Sequence, residues 1–117
     1  MAKVAIIGFG TVGSGVYDII LQNNNKLRRS TYGDEVCIKH ILDIRDFDSH
    51  PHKELFTKNF DDILNDPEVS VVAETMGGLH PAYEFTKSLL LAGKSVVTSN
   101  KELVATYGTE LLKTAYD

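Results

Sequence analysis

The sequence predicts an α/β domain: a doubly wound parallel sheet in three α/β/α layers. Three observations predict it. Short apolar runs suited to buried strands alternate with stretches of helical period from one end to the other. Glycine-rich or polar turns follow the apolar runs, at "GFGTVG", "LDIRD", "ETMGG" and "TSNK". A chain of 117 residues holds one such domain and is too short for two ordinary ones.

The first strand is read at Val4, Ala5, Ile6 and Ile7, an uninterrupted apolar run that suits a central parallel strand buried on both faces. Gly8 ends it. In the helix that follows, Val12, Val16, Ile19 and Ile20 recur at i, i+4, i+7 and i+8 and form the predicted inner face, while "QNNNKLRRSTYGDE" supplies the polar end and exit loop. Val36 to Ile44 has the composition of a second strand, reached by a right-handed crossover. "RDFDSHPHKELFTKNF" lacks periodicity and reads as a surface connection, with "DDILNDP" as a short helix ended near Pro67.

The third strand is read at Val69 to Glu74, followed by the turn "TMGG". A helix then starts near Pro81, whose fixed φ suits a first helical position, turns Phe85 and Leu89 inward, and ends at Gly93. "SVVTS" is the last strand. Ser99 and Glu102 have the spacing of a capping box for a final helix with Leu103, Val104, Tyr107 and Leu111 inside. Sheets of this kind bind ligands at the carboxyl ends of their strands, so all four post-strand segments are expected to line one crevice.

Composition narrows the partners. A formal net charge of -4 and a pI near 5.5 lack the basic footprint of a nucleic-acid binder. The one compact basic run, Lys26 to Arg29, reads as a cationic last helical turn. No segment approaches the roughly 20 apolar residues of a membrane helix. The start of the chain has no secretory-signal pattern, so a cytoplasmic protein is expected. Cys37 is a lone cysteine among apolar residues and reads as a buried filler. Of His40, His50, His52 and His80 only His50 and His52 are close in sequence, and they read as part of a solvated loop, so no metal is expected.

Gly8, Gly10 and Gly13 fit G-x-G-x-x-G after an apolar strand and at the start of a helix, the setting of a dinucleotide-binding turn. Gly8 would make the turn, Gly10 would let backbone approach a pyrophosphate, and Gly13 would let helix and strand pack closely. The amides of Thr11 and Val12 would face the phosphates, with the positive end of the helix dipole behind them. The competing reading is a tight strand-to-helix turn and nothing more.

After the second strand, Asp43 suits the ribose hydroxyl of NAD, whereas Arg45 suits the 2′-phosphate of NADP. Along an extended strand the two share a side, so cofactor choice stays open, as does a simple exposed ion pair. The interval from Gly13 to Asp43 exceeds the usual spacing of about 20 residues and requires a longer first helix and loop. Gly77 and Gly78 either admit a nicotinamide close to the backbone, with Thr75 supplying a hydroxyl, or form a plain turn. Lys101 in the first turn of a helix sits at the end where cations are disfavoured, which points to use rather than to a solvated surface lysine.

With "GFGTVGSGV", "IRD", "DPEVSVVAETMGG", "PAYEFTKSLLLAGKSVVTSNKELVA" and "YGTEL" in order, nearly the whole chain resembles the N-terminal nucleotide-binding domain of homoserine dehydrogenases. The resemblance implies a Rossmann-like fold. It also implies, for a whole enzyme, interconversion of aspartate 4-semialdehyde and homoserine with NADP or NAD, on the way to threonine, isoleucine and methionine. It gives the glycine turn, with Phe9, Thr11 and Val12, to cofactor phosphate and ribose, and Arg45 to the NADP phosphate. Thr98 and Lys101 match the threonine and lysine that lie beside nicotinamide and substrate, the lysine moving a proton at the substrate oxygen. Hydride delivery to an aldehyde builds alkoxide charge, which an ammonium stabilises.

Enzymes of that family continue into a dimerising substrate domain. Residues 1–117 are therefore expected to be the cofactor-binding fragment of a homodimer or larger homo-oligomer, binding NADP or NAD without turning over its small amino-acid substrate. Two other readings stay open: the first domain of another amino-acid-pathway dehydrogenase, acting on aspartate or a semialdehyde, and a free-standing NAD(P)-sensing module.

Overall fold

A computed structural model describes residues 2–27 and 36–116. In chain order these form β1 (Ala2–Ile7), α1 (Thr11–Leu27), β2 (Val36–Leu42), β3 (Phe56–Thr57), α2 (Asp61–Leu64), β4 (Val69–Glu74), α3 (Ala82–Leu91), β5 (Ser95–Thr98) and α4 (Lys101–Tyr116). All strand pairs are parallel, in the order β3-β2-β1-β4-β5. β3 has only two residues, too few to leave a periodic signal, which is why the region reads as a loop in the sequence.

The pleat sends alternate residues of β1 to opposite faces. Ala5 and Ile7 join Leu42, Ile63, Val69, Val72 and Leu89 beneath α2 and α3. Ile6 joins Ile38, Ile41 and Tyr17 beneath α1. Both faces of β1 are covered, which is why the whole run from Val4 to Ile7 is apolar. Burying each isoleucine contributes about 1.5–3 kcal/mol.

The strand order turns left from β1 to β2 and right from β4 to β5, with α1 and α3 on opposite faces. The reversal falls between β1 and β4. There the connections diverge and leave a crevice at the carboxyl ends of the strands.

Helix faces depart from the predicted ones. Among the described side chains of α1, Gly13 and Tyr17 are the buried positions, with Val16 and Ile20 half-buried, while Val12 and Ile19 are 50% and 58% exposed. The face is set by the close approach of Gly13 to the end of β1, which rotates Val12 and Ile19 outward. On α4, Leu103 and Leu111 are buried against α3, but Val104 is exposed. Tyr83 stacks on Tyr107 across that contact at 4.0 Å between centroids.

Gly93, at φ +84, closes α3 as predicted. The cap of α4 is different from the predicted box: Asn100 Oδ1 accepts from the Leu103 amide at 3.0 Å, and Asn100 Nδ2 donates to Gly78 O at 2.6 Å. One buried side chain thus caps the helix and ties it to a neighbouring turn. Cys37 is half-buried in β2 rather than buried. The basic run at 26–29 lies outside the residues whose side chains are described. Among the described residues no helix is long and apolar enough to cross a membrane.

Candidate functional site

Register places Leu42, Ile7, Glu74 and Thr98 in one row across four adjacent strands. Whatever follows each of them therefore emerges at the same edge of the sheet. After Ile7 the chain turns through Gly8 at φ +91, with the Gly8 amide donating to Leu42 O at 2.8 Å. Thr75 Oγ1 lies 2.7 Å from Gly8 O and 2.9 Å from Ile7 O, so its single proton is spent inside the chain. Thr75 therefore fixes the glycine turn, and the hydroxyl expected from it for a ligand is already engaged.

The three glycines of the motif separate into different physical roles. A Cβ on Gly13 would sit 1.9 Å from Gly8 O and 2.9 Å from Thr75 Oγ1, so only glycine lets α1 approach β1. Gly10 is the opposite case: a Cβ there would meet nothing within 4 Å, because its surface faces the open crevice. The first backbone bond of α1 runs from the Ser14 amide to Gly10 O at 2.9 Å. The amides of Thr11, Val12 and Gly13 precede it at the helix start, and no acidic side chain lies in that first turn. An open backbone surface ending in the first amides of a helix, which have no intrahelical acceptor, is the cradle that a pyrophosphate fits.

β2 ends at Leu42, so Asp43 and Arg45 lie on a turn rather than along a strand. Instead of competing for one position they bind each other. The Arg45 amide and Nε donate to Asp43 Oδ1 at 2.9 and 3.0 Å, and Nη2 donates to Oδ2 at 2.9 Å. Asp43 Oδ2 also accepts from the Phe9 amide at 2.9 Å, and Arg45 Nη2 donates to Phe9 O at 2.9 Å. The guanidinium's hydrogen bond, ahead of those from the Arg45 and Phe9 amides, draws the Asp43 carboxyl down to about 2. The pair clamps the glycine turn while the guanidinium itself stays 58% exposed.

These segments enclose a cleft of about 350 Å³, lined by Gly8 to Gly10, Asp43 to Arg45, Lys58, Thr75 and Met76, with Phe60 and Phe85 among its apolar walls. The rings of Phe60 and Phe85 stack at 4.0 Å. The fourth post-strand segment, Thr98 to Lys101, does not line this cleft, contrary to expectation. It is joined to it by hydrogen bonds: Thr98 Oγ1 donates to Glu74 Oε2 at 2.7 Å, and the Met76 amide donates to Glu74 Oε1 at 2.7 Å. The Thr98 hydroxyl also accepts from the Asn100 amide at 3.0 Å. Gly77 and Gly78, at φ +78 and +74, form a left-handed turn that only glycine adopts freely. Lys101 is the first residue of α4, with its side chain exposed.

His50 departs from the solvated-loop expectation. It is half-buried, its ring 5.6 Å from Phe9, 5.3 Å from Tyr17 and 5.0 Å from Phe56. Phe9 meets Tyr17, Phe47, His50 and Phe56 edge-on, which anchors the glycine turn from behind. Among the described residues no group of three or more His, Cys, Asp or Glu side chains is arranged to hold a metal ion.

Three site residues escape sequence reasoning. Glu74 has a visible signal, a lone carboxylate closing an otherwise apolar strand. Asn100 has one too, being as good a cap as Ser99. Lys58 has none, since it lies in the stretch without periodicity and reaches the cleft only through the fold.

The fold and its crevice define an α/β domain of the Rossmann-like class. Residues 8–117 match the family of the homoserine dehydrogenase NAD binding domain, and the chain belongs to that family. It is 39% identical to the homoserine dehydrogenase of Bacillus subtilis strain 168 across 97% of its own length and 27% of the relative's. A homoserine dehydrogenase structure from Thiobacillus denitrificans superposes with a TM-score of 0.84 at 36% identity, over 98% of this chain and 27% of that one. A hyperthermophilic archaeal homoserine dehydrogenase in complex with NADPH superposes with a TM-score of 0.76 at 25% identity, over 98% of this chain and 40% of that one. The chain thus spans about a quarter of the length of the bacterial relatives it matches.

Proposed function

We propose that residues 1–117 are the cofactor-binding domain of a homoserine dehydrogenase, holding NADP(H) or NAD(H) across the carboxyl ends of the strands. The observation that carries this is the glycine turn: Gly8 and Gly13 are required by packing, but Gly10 faces open space beside the first amides of α1. The backbone from Gly10 to Gly13 would hold the pyrophosphate, the Phe9 amide being engaged by Asp43. Arg45 and Lys58 are cations on the cleft; Lys58 is paired with Asp46, so Arg45, 58% exposed, is the one offered to a 2′-phosphate. The Gly77–Gly78 turn and Thr98 would bound the nicotinamide half, with Thr98 acting as a spacer because its proton is engaged by Glu74.

In the whole enzyme the bound cofactor supplies or takes up the hydride that interconverts L-aspartate 4-semialdehyde and L-homoserine. Lys101 would stabilise and protonate the developing alkoxide. The substrate's other contacts, and assembly as a homodimer or larger, fall to the rest of that enzyme. The isolated chain is expected to bind cofactor and not to oxidise homoserine.

Fluorescence titration of the chain with NADPH and NADH tests the reading. Saturable binding of either supports it, and the absence of binding to both overturns it. Homoserine-dependent reduction of NADP⁺ by the isolated chain would overturn the assignment of substrate contacts to other residues.

A further inference from the structure

Glu74 is fully buried, at 0% exposure, on the last residue of the strand beside β1. Its two oxygens accept from the Met76 amide and the Thr98 hydroxyl. Among the described residues no cation stands within ion-pair distance of it. A desolvated carboxylate held by two neutral donors is costly, and the core offers no packing reason for it over a glutamine of nearly the same shape. Its surroundings are specific, however. It lies at the carboxyl edge, in register with Ile7 and Thr98, one residue before the segment leading to Gly77 and Gly78. Through Thr98 and Asn100 it is joined to the first turn of α4, where Lys101 stands.

We propose that the Glu74 carboxylate biases the site towards the oxidised nicotinamide by setting a negative charge in a water-excluded place beside the ring. The proposal rests on the reading that the nicotinamide half lies between the glycine pair and Thr98. An oxidised nicotinamide ring is cationic and a reduced one is neutral, so a fixed anion nearby favours one redox form. Lys101 acts in the opposite sense, and the two charges together set the balance between binding NADP⁺ and binding NADPH. Glu74 does not accept from the ligand, because it is fully buried and both its oxygens accept from donors within the chain. It acts through its field.

Glu74→Gln preserves volume and the bond from the Met76 amide to the side-chain oxygen, reverses the bond to Thr98 so that the new amide nitrogen donates to the hydroxyl, and removes the charge. The affinities of this variant and of the unsubstituted chain are measured for NADP⁺, NADPH and 2′-phospho-ADP-ribose, which lacks the nicotinamide. Expected is a loss of about five- to tenfold in NADP⁺ affinity relative to NADPH, with 2′-phospho-ADP-ribose unchanged. Equal losses for NADP⁺ and NADPH, or no change in either, overturn the proposal. If Glu74→Gln does not fold, a Lys101→Ala chain, free of the opposing ammonium, carries the test: NADP⁺ is expected to bind more tightly than its analogue with neutral benzamide in place of nicotinamide, and equal affinity overturns the proposal. Failure of the unsubstituted chain to bind any of these ligands would remove the underlying reading, and the proposal with it. Retained 2′-phospho-ADP-ribose binding with an unchanged NADP⁺ to NADPH ratio would remove the proposal alone.

Discussion

Arg45 and Asp43 form a two-point pair whose carboxylate also holds the Phe9 amide at 2.9 Å and whose guanidinium also holds the Phe9 carbonyl at 2.9 Å. A residue pair after β2 thereby clamps the turn after β1. It leaves one face of an always-charged, planar donor at the rim of the cleft.

Arg45→Ala should therefore weaken NADPH by about tenfold while changing NADH by less than threefold, since a charge-assisted contact to a 2′-phosphate is absent from NADH. Parallel fluorescence titrations check it. Equal losses for both cofactors would mean that Arg45 serves the turn and not the phosphate.

Asp43 makes the acid stability of the domain readable. Its folded carboxyl lies at about 2 against 3.8 for the free side chain, so the folded state binds its proton less readily than the unfolded state. The contribution is complete above about pH 4 and is lost as the pH falls through about 2. After discounting for the exposed guanidinium, it amounts to about 1–2 kcal/mol at neutral pH. Urea unfolding of Asp43→Asn should show that loss at pH 7 and a shallower decline between pH 4 and pH 2. Unchanged slopes would remove the clamp as a source of stability.

Two glycine substitutions should part folding from binding. Gly13→Ala drives a methyl to 1.9 Å from Gly8 O and should cost about 3 kcal/mol or more, seen as a large fall in melting temperature. Gly10→Ala meets nothing within 4 Å and should leave stability within about 1 kcal/mol, yet lower cofactor affinity by about tenfold or more. Undiminished affinity in the folded Gly10→Ala variant would place the pyrophosphate elsewhere.

Lys101 stands at the positive end of the α4 dipole, where a cation is unfavourable. Lys101→Ala should raise the stability of the isolated chain by about 0.3–1 kcal/mol. In the whole enzyme the same change should lower kcat by about a hundredfold or more. A gain in stability paired with a loss of turnover is the signature of a residue kept for chemistry. Full turnover in the variant would exclude a role for it in proton transfer.

Much of this domain is written locally. Each residue from Val4 to Ile7 is apolar because both faces of the central strand are covered, and Gly93 marks the end of α3 because only a left-handed residue fits there. Strand-helix alternation, the span of β4 and the glycine motif follow from such short-range rules, as does the position of Lys101 in a first helical turn. Tertiary structure decided the remainder, because it depends on contacts between residues far apart in the chain. Val12 and Ile19 face outward because Gly13, pressed against Gly8, sets the rotation of α1. Asp43 and Arg45, rivals when read along a strand, become partners once β2 stops at Leu42 and their turn meets Phe9. Thr75, read as supplying a hydroxyl to a ligand, and Thr98, read as lying beside the nicotinamide, spend their protons on Gly8 and Glu74, because a hydroxyl has one proton and the fold supplies the acceptor.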